Sequence, residues 1–484
     1  MNKFSKTVLL TSILYSAASS ALTLEEATYI AIENDPTVRQ AISTYNENKS
    51  QIEISNSGYR PSLDLNAGVG RETTYNEGAD DVDLTRRELS LSFSQPLFRG
   101  FQTQNEVKRT KNETEASRWS ALIAVENASL NVADAYTNVL RYRELLKLSD
   151  LNLKTHERIY SQIKLKSDTG VGRKSDLTLI TARLAKAHSN RLAALNNLVD
   201  AKSQYLYVVG ELPPENMIYP IPDRDLLPTT LEMAIEEAIA KNPAIEVTNW
   251  DVKATENAKS SSDATNYPQL DFVVERTWDD NIDGAEGASE DLLAMVRLNY
   301  NLYNGGSDTQ RRKIAEQQIL QASEVRRSTI RDTELTVRLA WAAYKSTAAQ
   351  KKHIQQHVIA TKQSQKAYES QFRLGRRTLL DVLDSENELF EARQSYVNAD
   401  YDEQFAEFRL FNAKGELMRA LRIYRPAILG FEDQIEDESI ISTEQTISAI
   451  DRLKTVEAES VSDPESILPS SEELFIDSET GSGW

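Results

Sequence analysis

Two periods of apolar and polar residues alternate along this chain, and each occurs twice. From Phe101 to Thr169, and again from Ser307 to Leu374, there is no Gly or Pro. Both stretches are rich in Ala, Leu, Glu, Lys, Arg and Gln, with apolar residues at three- and four-residue steps. Each predicts a helix of nearly 70 residues, about 100 Å at 1.5 Å per residue. No ordinary globular core encloses such a length, so the helices must pack as coiled coils. Further helices are expected at roughly 24–57, 176–209, 231–264 and 379–414.

Between the helices the period drops to two. In "SLDLNAGVG", Leu63, Leu65, Ala67 and Val69 face one side, and Asp64, Asn66 and the glycines face the other. "ELSLSFSQPLF" sets Leu89, Leu91 and Phe93 against Glu88, Ser90, Ser92 and Ser94. "QLDFVVERTW" and "LLAMVRLNYNLY" repeat the scheme. These predict strand pairs at about 62–98 and 269–303, each strand about ten residues long, the length of a tilted strand crossing a bilayer. An amphipathic sheet in a soluble sandwich is the alternative, weakened because no other sheet is predicted nearby. Four strands cannot close a membrane barrel, and open edges in lipid leave backbone groups unpaired at several kcal/mol each. Several chains must therefore pool their strands, and three chains would supply twelve.

The switch of period follows an internal repeat. Leu24, Glu25, Ala27, Ala31, Ile32 and Pro36 return 207 positions on as Leu231, Glu232, Ala234, Ala238, Ile239 and Pro243. Pro61, Leu63 and Asp64 return as Pro268, Leu270 and Asp271, and Gly210 returns as Gly415. Copy one spans 22–210 and copy two 229–415; a Pro-rich stretch, 211–228, joins them as an extended linker. Residues 416–430 close the body.

The ends of the chain add three constraints. Residues 1–21 have the basic start, apolar run and small-residue site of a secretory signal peptide. There is no cysteine, so there is no disulfide, thiolate metal site, thiol nucleophile or lipid-bearing Cys. The net charge is −19, but Phe431 to Trp484 alone holds 15 acidic and 2 basic residues. The acidity thus belongs to a tail, 431–484, expected to be disordered. Nucleic acid is not an expected partner.

No enzymatic motif or cofactor site emerges. "GVGRKS" fails the phosphate-loop spacing, because Arg173 precedes Lys174. His353 and His357 could share a metal, but no third ligand is evident, and a solvated helix face is the plainer reading. Tyr75, Trp278, Tyr300 and Tyr303 lie near strand ends, either as interfacial girdles or in ordinary strand packing. Two Gly-led turns stand out: Gly170 precedes Asp176, and Gly375 precedes Asp381, by six positions each. Thr378-x-x-Asp381 has the form of a capping box, so Asp381 either starts a helix, lines a pore, or does both.

Signal peptide, duplication, paired strands and long helices together resemble the TolC family of trimeric outer-membrane export ducts. The likeness covers about 22–420 and is most specific in "QPLFRGFQTQ", "YNLYNGGSDTQ" and "RLGRRTLLDVLDSENELFEARQSYVNADYDEQFAEFRLFNAKGEL". It implies a mainly α fold with membrane β: a trimeric twelve-stranded β-barrel continued by a periplasmic α-helical coiled-coil barrel. It implies tips at Gly170, Gly172, Arg173, Gly375 and Arg376 that dock an adaptor protein of the membrane-fusion class. Beyond the adaptor stands an inner-membrane ABC transporter or proton-driven pump. It implies a pore constriction at Asp381 and Asp384, and a latch from Arg377 to Asp176 on the neighbouring hairpin. Phe372 occupies the place of a family tyrosine, so closure there would lean on charge instead of a hydroxyl. The expected function is a passive exit duct for type I protein secretion. A multidrug efflux duct is the runner-up, and a periplasmic coiled-coil adaptor or scaffold is the rival of another class.

Overall fold

A computed structural model describes residues 22–75, 81–423, 425–431 and 449–458. The expected signal peptide, most of the first strand-to-strand loop and most of the acidic tail lie outside the described residues. The first repeat contains α1 (Leu24–Asn34), α2 (Pro36–Ser57), β1 (Ser62–Thr74), β2 (Val82–Arg99), α3 (Gln102–Asp168) and α4 (Lys174–Val209). The second contains α5 (Leu231–Lys241), α6 (Pro243–Ser262), β3 (Gln269–Asp280), β4 (Ala288–Asn299), α7 (Ser307–Arg373) and α8 (Leu379–Lys414). Two short helices follow, α9 (Leu417–Ala420) and α10 (Ala449–Ala458).

Both long helices, α3 and α7, run for 67 residues. The helices expected at 24–57 and 231–264 are each broken in two, at Asp35-Pro36 and Asn242-Pro243. Proline has no N–H and pushes the residue before it out of the helical region. Asp35 and Asn242 are accordingly extended, with ψ of 122° and 124°. Each then caps the helix that follows: Asp35 Oδ1 accepts from Thr37 N at 2.7 Å, and Asn242 Oδ1 from Ala244 N at 2.9 Å. The repeat thus conserves a corner as well as its helices.

The four strands form one antiparallel sheet in the order β1-β2-β3-β4. Its register sets Leu65 opposite Leu91 and Leu91 opposite Arg276, and pairs Phe272 with Val296. Directly opposed residues share a face, so Leu63, Leu65, Val69, Phe93, Phe272, Leu292, Val296 and Leu298 form one apolar surface. That surface is bare: Leu65 is 67% exposed, Val69 78% and Leu292 71%. Asp64, Ser90, Glu275 and Asp291 line the other face. At the far end of the apolar surface Arg276 lies over the Trp278 ring at 4.8 Å and pairs with Glu290 at 3.1 Å. At the helical end Tyr300 and Tyr303 stand beyond β4 and are exposed. Aromatics therefore stand near both ends of the sheet. No described helix is long and apolar enough to cross a membrane.

The largest core lies at the waist, where α1, α3, α8 and α9 meet around Leu24, Leu122, Val132, Tyr136, Phe408, Phe411 and Leu417. The 211–228 linker is strapped to it. The Tyr136 hydroxyl lies 2.7 Å from the carbonyls of Leu22 and Ile218 and accepts from Ile218 N at 2.9 Å. Buried polar groups are matched in the same way: Lys414 meets Glu237 at 2.5 Å, Glu416 at 3.2 Å and the Leu226 carbonyl at 2.9 Å. The expectation of a wholly disordered tail is corrected for one segment. Residues 449–458 form α10, which docks on the body because Ala449 and Ile450 find an apolar cluster and Arg452 finds a buried carboxylate, Asp400.

Glu126 of α3 is buried and receives Leu417 N at 3.1 Å. Burial pushes its carboxyl up to about 7, against partial relief from Arg425 and the amides of Met418 and Leu417. A pKa raised above the unfolded value contributes stability that is complete below that unfolded value and is lost as pH rises through about 7. Glu126→Gln should therefore flatten the fall in melting temperature between pH 5 and pH 8, an effect of up to about 3 kcal/mol. Circular-dichroism melts of the detergent-solubilised protein at each pH would measure it, and an unchanged slope would show that other groups set the dependence.

Candidate functional site at the hairpin tips

Two helical hairpins, α3–α4 and α7–α8, end in turns built alike. Gly170 and Gly375 take φ of +79° and +74°, a left-handed conformation that costs glycine least. Beyond each, an amide reaches back five residues to close the helix end: Val171 N to Lys166 O at 3.0 Å, and Arg376 N to Gln371 O at 2.9 Å. Gly172 N also reaches Lys166 O, at 2.7 Å. Arg173 and Arg376 are exposed on these turns.

The two following helices start differently. At α8, Asp381 N donates to Thr378 Oγ1 at 3.3 Å, and Thr378 N donates back to Asp381 Oδ2 at 2.9 Å. This is a complete capping box, so Asp381 does start the helix. The Thr378 amide and hydroxyl, with Arg377 beyond them, hold its carboxyl below the usual range. At α4 the N-cap is Arg173, which supplies no side-chain cap, and Asp176 sits in the first turn.

Arg377 stays on its own hairpin. Its Nε donates to Gln371 Oε1 at 3.1 Å, its guanidinium lies 4.4 Å from the centre of the Tyr368 ring, and Asp381 Oδ1 is 3.8 Å away. It makes no bond to Asp176 within the chain. Asp384 is exposed and bonded at 2.7 Å to Arg183 of α4. Arg158 of α3 approaches Glu369 of α7 at 3.7 Å. Those two ion pairs flank an apolar knot of Ile159, Ile163, Ile180, Leu379 and Leu383, with Phe372 packed against it. Phe372 therefore serves packing, and Lys166 Nζ sits 5.5 Å over its ring. His357 faces Glu388 at 3.8 Å, and His353 faces Gln356.

Sequence reading missed Arg183 and Tyr368. Arg183 stands seven residues after Asp176 on the same face of α4, and Tyr368 nine before Arg377 across the turn. The first spacing was visible in the sequence; the second needs the turn geometry.

A sheet bare on its apolar face, continued by two hairpins whose long arms, α3 and α7, each run about 100 Å, fits a channel-forming protein of the outer membrane. Residues 27–209 and 234–416 each match the family described as outer membrane efflux protein, and the chain belongs to that family. The two matches coincide with the two repeats. The chain is 24% identical over 412 residues to the outer membrane efflux protein BepC of Brucella suis biovar 1 (strain 1330), covering 84% of this chain and 88% of that one. It is 24% identical over 435 residues to the outer membrane protein TolC of Escherichia coli (strain K12), covering 83% and 84%. It is 21% identical over 407 residues to the alkaline protease secretion protein AprF of Pseudomonas aeruginosa, covering 81% and 84%. In fold it resembles the solved structure of CusC, with a TM-score of 0.70 at 16% identity, covering 81% of this chain and 91% of that one. It is an outer-membrane protein with a large periplasmic portion, in a family of channels and not of enzymes.

The capping box makes a local prediction. Thr378→Ala should cost about 1 kcal/mol of tip stability. Hydrogen exchange should rise at Leu379–Val382 and remain unchanged at the α4 start, which has no such cap.

Proposed function

We propose that the protein is the passive exit duct of a tripartite system for type I protein secretion, working as a homotrimer. The observation that carries the reading is the sheet. Among the described residues β1 and β4 each leave one edge unpaired beside an apolar face, and lipid offers those edges no hydrogen-bond partner. Three copies would close twelve strands into one barrel. Ile314, Val325, Leu335 and Leu339 of α7 are exposed among the described residues, as a seam for a neighbouring copy requires. The two hairpins would then form the periplasmic tube. Gly170, Gly172, Arg173, Gly375 and Arg376 would dock a periplasmic adaptor, and an inner-membrane ABC transporter would supply the energy. The protease-secretion name of AprF supports a protein substrate, whereas the efflux name of BepC supports a proton-driven pump and small molecules.

In the trimer Asp381 and Asp384 would ring the closed end, with Arg377 reaching Asp176 of the adjacent hairpin. Like charges brought around one axis attract cations. Arg183 offsets Asp384 and the Arg377 side chain stands near Asp381, so each carboxylate carries a counter-charge of its own.

Reconstitution in a host lacking its own duct tests the substrate class. With an ABC transporter and its adaptor, a polypeptide substrate should appear in the medium. Dye export with a proton-driven pump, and no protein release, would turn the reading to efflux. A Val69→Arg substitution on the lipid-facing surface should cost about 2–4 kcal/mol of membrane insertion at mid-depth, and heat-modifiable trimers on semi-native gels should diminish accordingly. In planar bilayers Arg377→Ser should raise single-channel conductance. Asp381→Ala with Asp384→Ala should weaken cation selectivity, and Arg183→Gln should strengthen it. Unchanged selectivity in all three backgrounds would leave Asp381 with its capping role alone.

A further inference from the structure

The C-terminal helix α10 occupies a seat assembled from both repeats and the linker between them. Ala449 is fully buried, and its amide donates to Glu144 Oε1 of α3 at 3.0 Å. Ala449 and Ile450 pack on Leu145 and Leu148 of α3 and on Phe390, Val397 and Tyr401 of α8. One turn on, Arg452 bonds Asp400 of α8 and lies 4.0 Å from the centre of the Tyr219 ring in the linker. Asp400 is 1% exposed and is reached by two further groups. Lys351 of α7 lies 2.8 Å from Oδ1, the Tyr219 hydroxyl donates to Oδ2 at 3.3 Å, and Arg452 closes the remaining approach.

The charges show what α10 contributes. Asp400, Glu403 and Glu144 converge here, and Lys351 bridges only the first two, with Glu403 at 2.6 Å. Burial and the nearby Asp400 push Glu144 up to about 7, while Arg452 and the Ala449 amide act the other way. Without α10 the buried Asp400 would lose Arg452 and the buried Glu144 would lose the Ala449 amide, and removing one partner of a buried pair is strongly unfavourable. A helix that merely lay on the surface would need no such seat.

We infer that α10 is a brace: Arg452, seated on Asp400, ties the α7–α8 hairpin to α3 and to the linker, and so limits how far the two hairpins move against each other. The brace acts at mid-hairpin, well above the tip knot at Ile159 and Leu383. It gives the C-terminal segment a mechanical role and needs no assumption about substrate.

Hydrogen exchange on the full-length protein in detergent tests it, comparing wild type, Arg452→Ala, Asp400→Asn, the double variant and a chain ending at Phe431. Exchange should rise about tenfold, equivalent to about 1.4 kcal/mol, in α7 around Lys351 and α8 around Asp400, both in Arg452→Ala and on truncation. The double variant should rise by less than the sum of the two single variants, because both changes remove the Arg452–Asp400 bond while Arg452 also keeps its Tyr219 contact. Unaltered exchange in α7 and α8 on truncation would overturn the brace, and so would additive effects of the two substitutions. The truncation alters no residue of the body, so it decides the question even where Asp400→Asn fails to fold.

Discussion

Everything in this chain answers to the hydrogen bonds that a sheet edge leaves unmade. The β2–β3 ladder joins one repeat to the other, from Arg87 opposite Asp280 to Arg99 opposite Gln269, so the duplication is sewn together at its centre. The outer strands have no outer partner among the described residues. Water could satisfy those edges, but the face beside them is apolar and exposed, and lipid cannot. A soluble sandwich would have buried Leu65, Val69 and Leu292 against a second layer, and no such layer exists among the described residues. The bare face and the open edges are one constraint seen from two directions.

The helical part meets a different constraint. A helix of 67 residues exposes far more surface than one neighbour can cover, so its burial shifts along its length. At the waist α3 is covered by α1, α8 and α9, and Val132 and Tyr136 are fully buried. Nearer the tip only Ile159 and Ile163 remain in a small knot. Polar bonds are set among the apolar contacts. Tyr136 holds the linker, Lys414 gathers two glutamates, and Asp400 gathers Lys351, Tyr219 and Arg452. The joins between repeats are therefore specified by geometry-dependent bonds, which fix one register of packing.

At the tips, one residue can serve two ends. Asp381 is committed to Thr378 as a helix start, yet it remains only partly covered, with a second oxygen toward Arg377. Capping consumes one oxygen and leaves the charge. A role in starting the helix and a role in a charged ring are therefore compatible, and the local chemistry does not force a choice between them. Asp384 differs: its bond to Arg183 crosses between hairpins, so its charge is coupled to how the two hairpins sit.

The sequence by itself determined every element whose signal is local and periodic. An uninterrupted three- and four-residue apolar period without Gly or Pro located α3 and α7 almost to the residue, and strict alternation located the strands and their two faces, although β4 runs Ala288–Asn299 and stops short of Tyr303. Thr378 and Asp381, three apart, announced their capping box. Pro36 and Pro243 carried the helix breaks as well, although the longer period across them hid the corner. Tertiary structure alone decided what depends on residues far apart in the chain. No local pattern could pair Arg183 with Asp384, turn Arg377 toward Tyr368, or find a partner for Arg452 in an acidic tail. Net charge argued that the whole tail stays unfolded, but one buried carboxylate 52 residues away outweighs that average for α10. Helix and strand are fixed by the repeat of neighbours along the chain. Ion pairs and docking are fixed by which distant surfaces the fold brings within about 3 Å, the range over which such bonds act.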